Sequence, residues 1–156
     1  MTQATIIYVD ADACPVKDEV YRVAGRYGLA VKVVANGGLA VPADPLIERV
    51  LVAEGPDVAD DWIAERAGPH DIVITADIPL ASRCVKAGAD VLSPGGKRFT
   101  TESIGMTLAS RDLMTHLRDT GVITGGGPRA MKATDRSAFL SALDNAVVRL
   151  RKKFPR

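Results

Sequence analysis

Ile6-Ile7-Tyr8-Val9-Asp10-Ala11-Asp12 and Asp71-Ile72-Val73-Ile74-Thr75-Ala76-Asp77 are the two stretches that decide the fold. Each is a short apolar run, rich in β-branched residues, that ends on an aspartate. Runs of this length and composition read as buried strands. In an open α/β sheet, ligands bind outside the carboxyl ends of the strands. Carboxylates delivered there repel one another unless a cation or a proton lies between them. Mg²⁺ takes oxygen ligands and keeps waters that a phosphate can displace. An acidic cluster at this edge therefore points to metal-dependent phosphate chemistry.

Outward from these strands the chain alternates. Pro15 opens a helix that runs from Val16 to about Tyr27, with Val20, Val23, Ala24 and Tyr27 on one face and Gly28 as its stop. Ala30 to Ala35 reads as a second strand, followed by a turn at Asn36-Gly37-Gly38, and Arg49 to Ala53 as a third. After the break at Gly55-Pro56, Asp57 is placed to cap a helix over 58–67. A helix from Pro79 to Ala87 and a short strand from Asp90 to Leu92 follow the strand at 71–75. A polar loop covers 93–100, a longer helix 101–119, a glycine loop 125–128 and a last helix 135–152. Strand alternating with helix predicts a three-layer α/β/α fold with a mainly parallel central sheet. It is read as a single domain over 1–156, with 101–156 a helical C-terminal extension.

At 156 residues and 47% hydrophobic, the chain has enough material for a proper core. Lys plus Arg number 20 and Asp plus Glu 19, so net charge singles out no partner and only the distribution of charge informs. Acids gather between Asp57 and Asp77, whereas the last eight residues carry five cations and no acid. No apolar stretch approaches the roughly 20 residues that span a bilayer, and no secretory signal is seen, so a cytoplasmic protein with reduced thiols is expected.

The segment Asp57-Val58-Ala59-Asp60-Asp61 adds a third acidic piece. Positions i, i+3 and i+4 share a helix face, so Asp57, Asp60 and Asp61 can project together. The purely structural alternative is that acids in a first turn suit the positive end of the helix dipole. Asp77 can likewise serve only as an N-cap, but Asp10 is followed at once by Asp12 and capping needs only one of them.

A resemblance emerges at these residues. The string Asp71-Ile72-Val73-Ile74-Thr75-Ala76-Asp77-Ile78-Pro79-Leu80-Ala81, with residues 86–92, is similar to the second half of PIN and NYN nuclease domains. More closely, Val9-Asp10-Ala11-Asp12-Ala13-Cys14-Pro15-Val16-Lys17 resembles the bacterial YaiI/YqxD family, as do residues 59–63, 75–81, 111–114 and 124–126. The PIN-like resemblance implies Mg²⁺ or Mn²⁺ and hydrolysis of a nucleic-acid phosphodiester, RNA more often than DNA and single-stranded above all. It implies Asp10, Asp57 and Asp77 as metal ligands. Asp12 or Asp61 would hold a second ion or its waters, and Asp10, Asp12 and Asp77 form the catalytic set. The chain departs from the pattern where PIN domains carry a further acid after the third, because Ile78-Pro79 stands there. That departure bears on a complete second metal site.

A phosphodiester also needs cations facing the metal. Lys17, Arg83, Lys97, Arg98, Arg129 and Lys132 lie in or beside loops that follow strands. Lys97-Arg98 after Pro94-Gly95-Gly96 is preferred, since glycines let backbone N–H groups approach a phosphate, and an ordinary turn is the alternative. Asn36 is a further substrate-side candidate, or simply a residue that accepts a left-handed turn. Aromatics at 4% argue against an extended base-stacking platform. Cys14 before a helix start could be a nucleophile, but with no histidine near it in sequence a small buried thiol is the better reading. No paired Cys/His spacing supports zinc. The expected partner is nucleic acid, with no membrane association and a homodimer left open.

Two rival readings stand beside the nuclease. Haloacid-dehalogenase-like phosphatases also begin with a strand ending in Asp-x-Asp, which would make Asp10 a nucleophile. They need a late strand tipped with acidic residues, and none is evident after Leu92. A non-catalytic nucleic-acid-binding domain is the third.

Overall fold

A computed structural model describes residues 4–11, 14–37, 40–55, 57–105 and 132–154. Their strands are β1 (Ile6–Asp10), β2 (Ala30–Ala35), β3 (Ile47–Leu51), β4 (Ile72–Ile74), β5 (Asp90–Leu92) and β6 (Arg98–Phe99). They form one sheet in the order β3-β2-β1-β4-β5-β6. Every neighbouring pair is parallel except β5 and β6. The helices described from end to end are α1 (Lys17–Tyr27), α2 (Val58–Arg66), α3 (Ile78–Lys86) and α4 (Ala133–Lys153).

The alternation of side chains along a strand sorts the core into two faces. On β1, Ile7 and Val9 join Val31, Val33, Ile72, Ile74 and Leu92 beneath α1 and α4. Tyr8 points the other way, with Val34, Val73 and Val91 beneath α2 and α3. Both faces of the central strands are therefore covered, which explains why β4 reads Ile-Val-Ile with no polar position. The result is the expected three-layer α/β/α arrangement. On α4, Phe139, Leu143, Ala146, Val147 and Leu150 are buried at spacings of three and four, so one stripe of the helix lies on the sheet.

Local chemistry sets the element ends. Gly28 closes α1 at φ 67, and the next strand starts two residues on. Asp77 accepts a hydrogen bond from the backbone N–H of Leu80 at 2.9 Å with a proline in the first turn, so it caps α3 as the sequence allowed. The helix starts at Ile78, one residue ahead of the expected Pro79.

Four expectations need correction. Pro15 does not open α1; it lies in a turn, Val16 is the cap and the helix starts at Lys17. Asp57 occupies the cap position of α2 without capping it: its backbone is left-handed at φ 65 and its side chain makes no cap hydrogen bond. The third strand falls at Ile47–Leu51 rather than 49–53, because pairing of Val31 with Ile47 fixes its register. The polar loop at 93–100 contains β6, in which Phe99 is buried opposite Val91. Two residues are too few for a periodicity to reveal. Of the helix expected over 101–119, residues 101–105 are helical and the remainder lies outside the described residues, as does the glycine loop at 125–128. Among the described residues no helix is long and apolar enough to cross a membrane.

Candidate functional site

From β1 the chain moves outward to β2 and β3, then returns to lay β4 on the other side of β1. The carboxyl ends of β1 and β4 therefore flank the point where strand order reverses, where α/β sheets open a crevice. Val9 pairs with Ile74, so the next residue of each strand, Asp10 and Thr75, emerge side by side. The Thr75 hydroxyl donates to Asp10 Oδ2 at 2.9 Å. The same Oγ1 accepts the Asp77 backbone N–H at 3.0 Å. Thr75 is 1% exposed, so this buried hydroxyl fixes both carboxylate-bearing residues to one frame.

Helix α2 supplies the third side. Its Ala59 and Ile63 are buried against the sheet, and Trp62 meets Tyr8 of β1 edge-on with ring centroids 6.0 Å apart. Arg66 lies over the outer face of Trp62 at 4.0 Å. These contacts hold the first turn of α2 over the carboxyl edge. There the Asp60 side chain hydrogen-bonds Asp77 and lies within electrostatic reach of Asp10 and Asp57. Its carboxyl is pushed up to about 6, first by burial and then by Asp77, Asp10 and Asp57. Two carboxyls share a hydrogen bond only while one keeps its proton. A cavity of about 240 Å³ opens beside them, lined by Asp57, Asp60, Asp61, Pro79, Leu80 and Arg83.

The structure thus brings together Asp10, Asp77 and, at the cavity rim, Asp57. Asp61 also lines the cavity, but its Oδ1 pairs with Arg83 Nη1 at 2.6 Å, so a metal-ligand candidate and a substrate candidate hold each other. Asp12 lies outside the described residues, as does Arg129. Asn36 follows β2, whose Val34 is level with Asp10, and is half-buried at the same edge. Lys17 donates from Nζ to the Cys14 carbonyl at 2.7 Å, in the connection that leaves β1. Lys132 is the cap of α4.

Lys97 and Arg98 part company. Lys97 sits in the turn after β5, where its N–H donates to Ser93 Oγ at 3.0 Å and its carbonyl accepts from Ser93 N at 2.8 Å. The Gly96 N–H is bonded to the Ser93 carbonyl at 3.0 Å. These donors close an ordinary turn and do not present themselves to a phosphate. Gly96 has its own reason: a Cβ there would stand 2.9 Å from the Ala138 carbonyl oxygen of α4. Arg98 turns toward the opposite end of the sheet, with Nε 3.4 Å from Asp90 Oδ1. Cys14 and Cys84 are buried free thiols, and burial raises the Cys14 thiol, so neither supplies a ready thiolate.

Sequence reasoning preferred Asp61 to Asp60 as the second acid of α2. A partial signal was available: Ala59, Ile63 and Ala67 recur every four residues as one apolar stripe, which becomes the inward face only when the helix lies on the sheet. Asp60 stands one position round from that stripe and Asp61 two, on a helix that turns about 100° per residue. Thr75 has no such signal, since its role exists only once β4 lies against β1.

Among the described residues no three carboxylates, imidazoles or thiols stand close enough to enclose an ion by themselves. The donors that do converge are all carboxylate oxygens, which suits a hard divalent ion that retains several of its waters, as Mg²⁺ does.

Comparison with known proteins adds lineage. The model of the family described as "Uncharacterized BCR, YaiI/YqxD family" matches residues 8–149. A UPF0178 protein of Nitrobacter winogradskyi is 68% identical over 146 residues, which is 94% of this chain and 92% of the relative. One from Rhodopseudomonas palustris strain TIE-1 is 68% identical over 154 residues, covering 98% and 97%. A third, from a Bradyrhizobium species, is 64% identical over 152 residues, covering 97% and 92%.

Proposed function

We propose that this chain, which belongs to the YaiI/YqxD family, is a divalent-metal-dependent nuclease that hydrolyses single-stranded RNA at the carboxyl edge of its sheet. The observation that carries the reading is the meeting of Asp10, Asp77 and Asp60 at the switch point, from β1, the β4–α3 turn and α2. A fold gains nothing in stability by pressing like charges together, so such a cluster is expected where charge compensation comes from a ligand.

Asp10, Asp60 and Asp77 would hold Mg²⁺ or Mn²⁺, with Asp57 at the cavity beside them to add an oxygen or bind a water, the role of Asp12 resting on the PIN-like resemblance alone. When bound, the ion supplies a Lewis acid for the phosphoryl oxygen and lowers the pKa of a coordinated water. Thr75 is a positioning residue, since its hydroxyl orients the Asp10 carboxylate and its oxygen anchors the backbone at Asp77. Lys17, Asn36 and Lys97 stand at the same edge and would steer the phosphate. RNA rather than DNA rests on the PIN-like resemblance of residues 71–92. The phosphatase alternative with Asp10 as nucleophile has less support, because β6, the strand after β5, carries Arg98 and Phe99 and no carboxylate.

The test is Mn²⁺-dependent cleavage of a labelled single-stranded RNA by the wild type, Asp10→Asn and Asp77→Asn. Each variant should lose activity on the order of a hundredfold, the scale of removing one preorganised electrostatic group. Equal cutting by all three proteins would trace the activity to a contaminant and overturn the assignment. RNA retained in chelator, with no turnover in any divalent ion, would show a binding domain instead.

A further inference from the structure

Asp90 opens β5, and its register partner Ile72 opens β4, so its carboxylate lies at the end of the sheet opposite the acidic cluster. It is buried, and two guanidinium groups from distant parts of the chain converge on it. Arg149 of α4 grips it with Nε at 3.1 Å and Nη2 at 3.0 Å. Arg98 of β6 approaches with Nε at 3.4 Å. Beside them opens a cavity of about 460 Å³, whose rim carries Lys152 and Lys153 from the last turn of α4. Four cations thus line the cavity beside one carboxylate, Lys153 with its Nζ 5.5 Å from the Phe154 ring. Among the described residues, no carboxylate lies within ion-pair distance of Lys152 or Lys153.

Part of this arrangement is structural. A buried carboxylate needs a partner, and cations suit the negative end of a helix dipole. Arg149 alone meets the first need, with two parallel N–H···O bonds. That leaves Arg98, Lys152 and Lys153 in excess. The atoms used matter as well. A guanidinium has five N–H donors, and Arg98 commits only Nε to Asp90 while Arg149 commits Nε and one N–H of Nη2. Among the described residues the remaining Nη donors of both have no hydrogen-bond partner, while Asp90 holds Arg149 in place and draws Arg98 by charge. Fixing them in advance lowers the ordering cost of binding an anion.

We infer that this cavity is an anion site for a small ligand bearing two or more phosphates, separate from the acidic edge and independent of the nuclease reading. Its volume falls within the range of small-ligand pockets, about 300–1,000 Å³. Among the described residues no aromatic side chain lines it, so recognition is of charge rather than of a base. A single phosphate would leave cations unmatched, whereas a di- or triphosphate matches their number.

Inorganic triphosphate in chelator, titrated calorimetrically into the full chain at low salt, tests this. Saturable binding is expected for the wild type. It should weaken at least about tenfold in Lys152→Ala/Lys153→Ala, since a charge-assisted contact is worth roughly one decade or more. Both lysines are exposed, so the variant should keep its fold, which circular dichroism checks. Asp77→Asn should bind triphosphate as the wild type does, whatever becomes of RNA cleavage. Absence of saturable binding, or equal binding by the lysine variant, would overturn the site. So would a short RNA strand whose binding depends on Lys152 and Lys153 while triphosphate does not bind.

Discussion

At Asp60 the proton reports on the company the carboxyl keeps. Its folded-state value of about 6 lies above the ordinary 3.8. Between those values the folded chain keeps a proton that the unfolded chain has released, so metal-free stability falls as pH rises through that window. Asp71, also raised by burial, acts in the same direction. A divalent ion must displace the Asp60 proton, so Mn²⁺ affinity should climb as pH rises through about 6 and then level off. Titrations at several pH values check this, and Asp60→Asn should remove the step; a flat profile in the wild type would count against the cluster as a cation site. Asp57 makes a second residue-scale test. An L-residue held left-handed costs about 1–2 kcal/mol, and glycine does not incur that cost. Asp57→Gly should therefore raise the melting temperature by about 2–8 °C while weakening Mn²⁺ binding. A variant that lost stability would mean the side chain serves the fold.

Among elements, α4 and the β5–β6 turn are interdependent. Gly96 has φ +92, and a Cβ there would meet the Ala138 carbonyl at 2.9 Å. Backbone of a packed helix cannot swing aside as a flexible side chain can. Gly96→Ala should therefore cost about 2 kcal/mol or more, from overpacking together with strain at positive φ, measured by urea unfolding. The turn glycines looked in sequence like a phosphate loop, and helix packing is what accounts for Gly96. Helix α2 gives the complementary lesson. Its inward stripe of Ala59, Ile63 and Ala67 was legible as spacing. Which of two adjacent aspartates faces the site followed from that stripe only after the helix had a sheet to lie on.

For the molecule as a whole, the aspartates at the ends of two apolar runs announced both the parallel sheet and the carboxyl edge where Asp10 and Asp77 meet. Period-two burial, helix stops such as Gly28 and the Asp77 cap are interactions between near neighbours in sequence, so composition and spacing carry them. The contacts that complete the molecule are different in kind. Thr75 reaches Asp10 across 65 positions, Arg149 reaches Asp90 across 59, and Asp60 meets Asp77 only because α2 and α3 cover the same face. Sheet order and helix docking decide these pairings, and neither leaves a local periodicity to read. The chain itself therefore determined its alternating elements and the edge at which Asp10 and Asp77 gather. Tertiary structure alone decided that Asp60 joins the cluster, that Asp61 closes on Arg83 and that Arg98 faces away, because side-chain partnership depends on distances that packing creates.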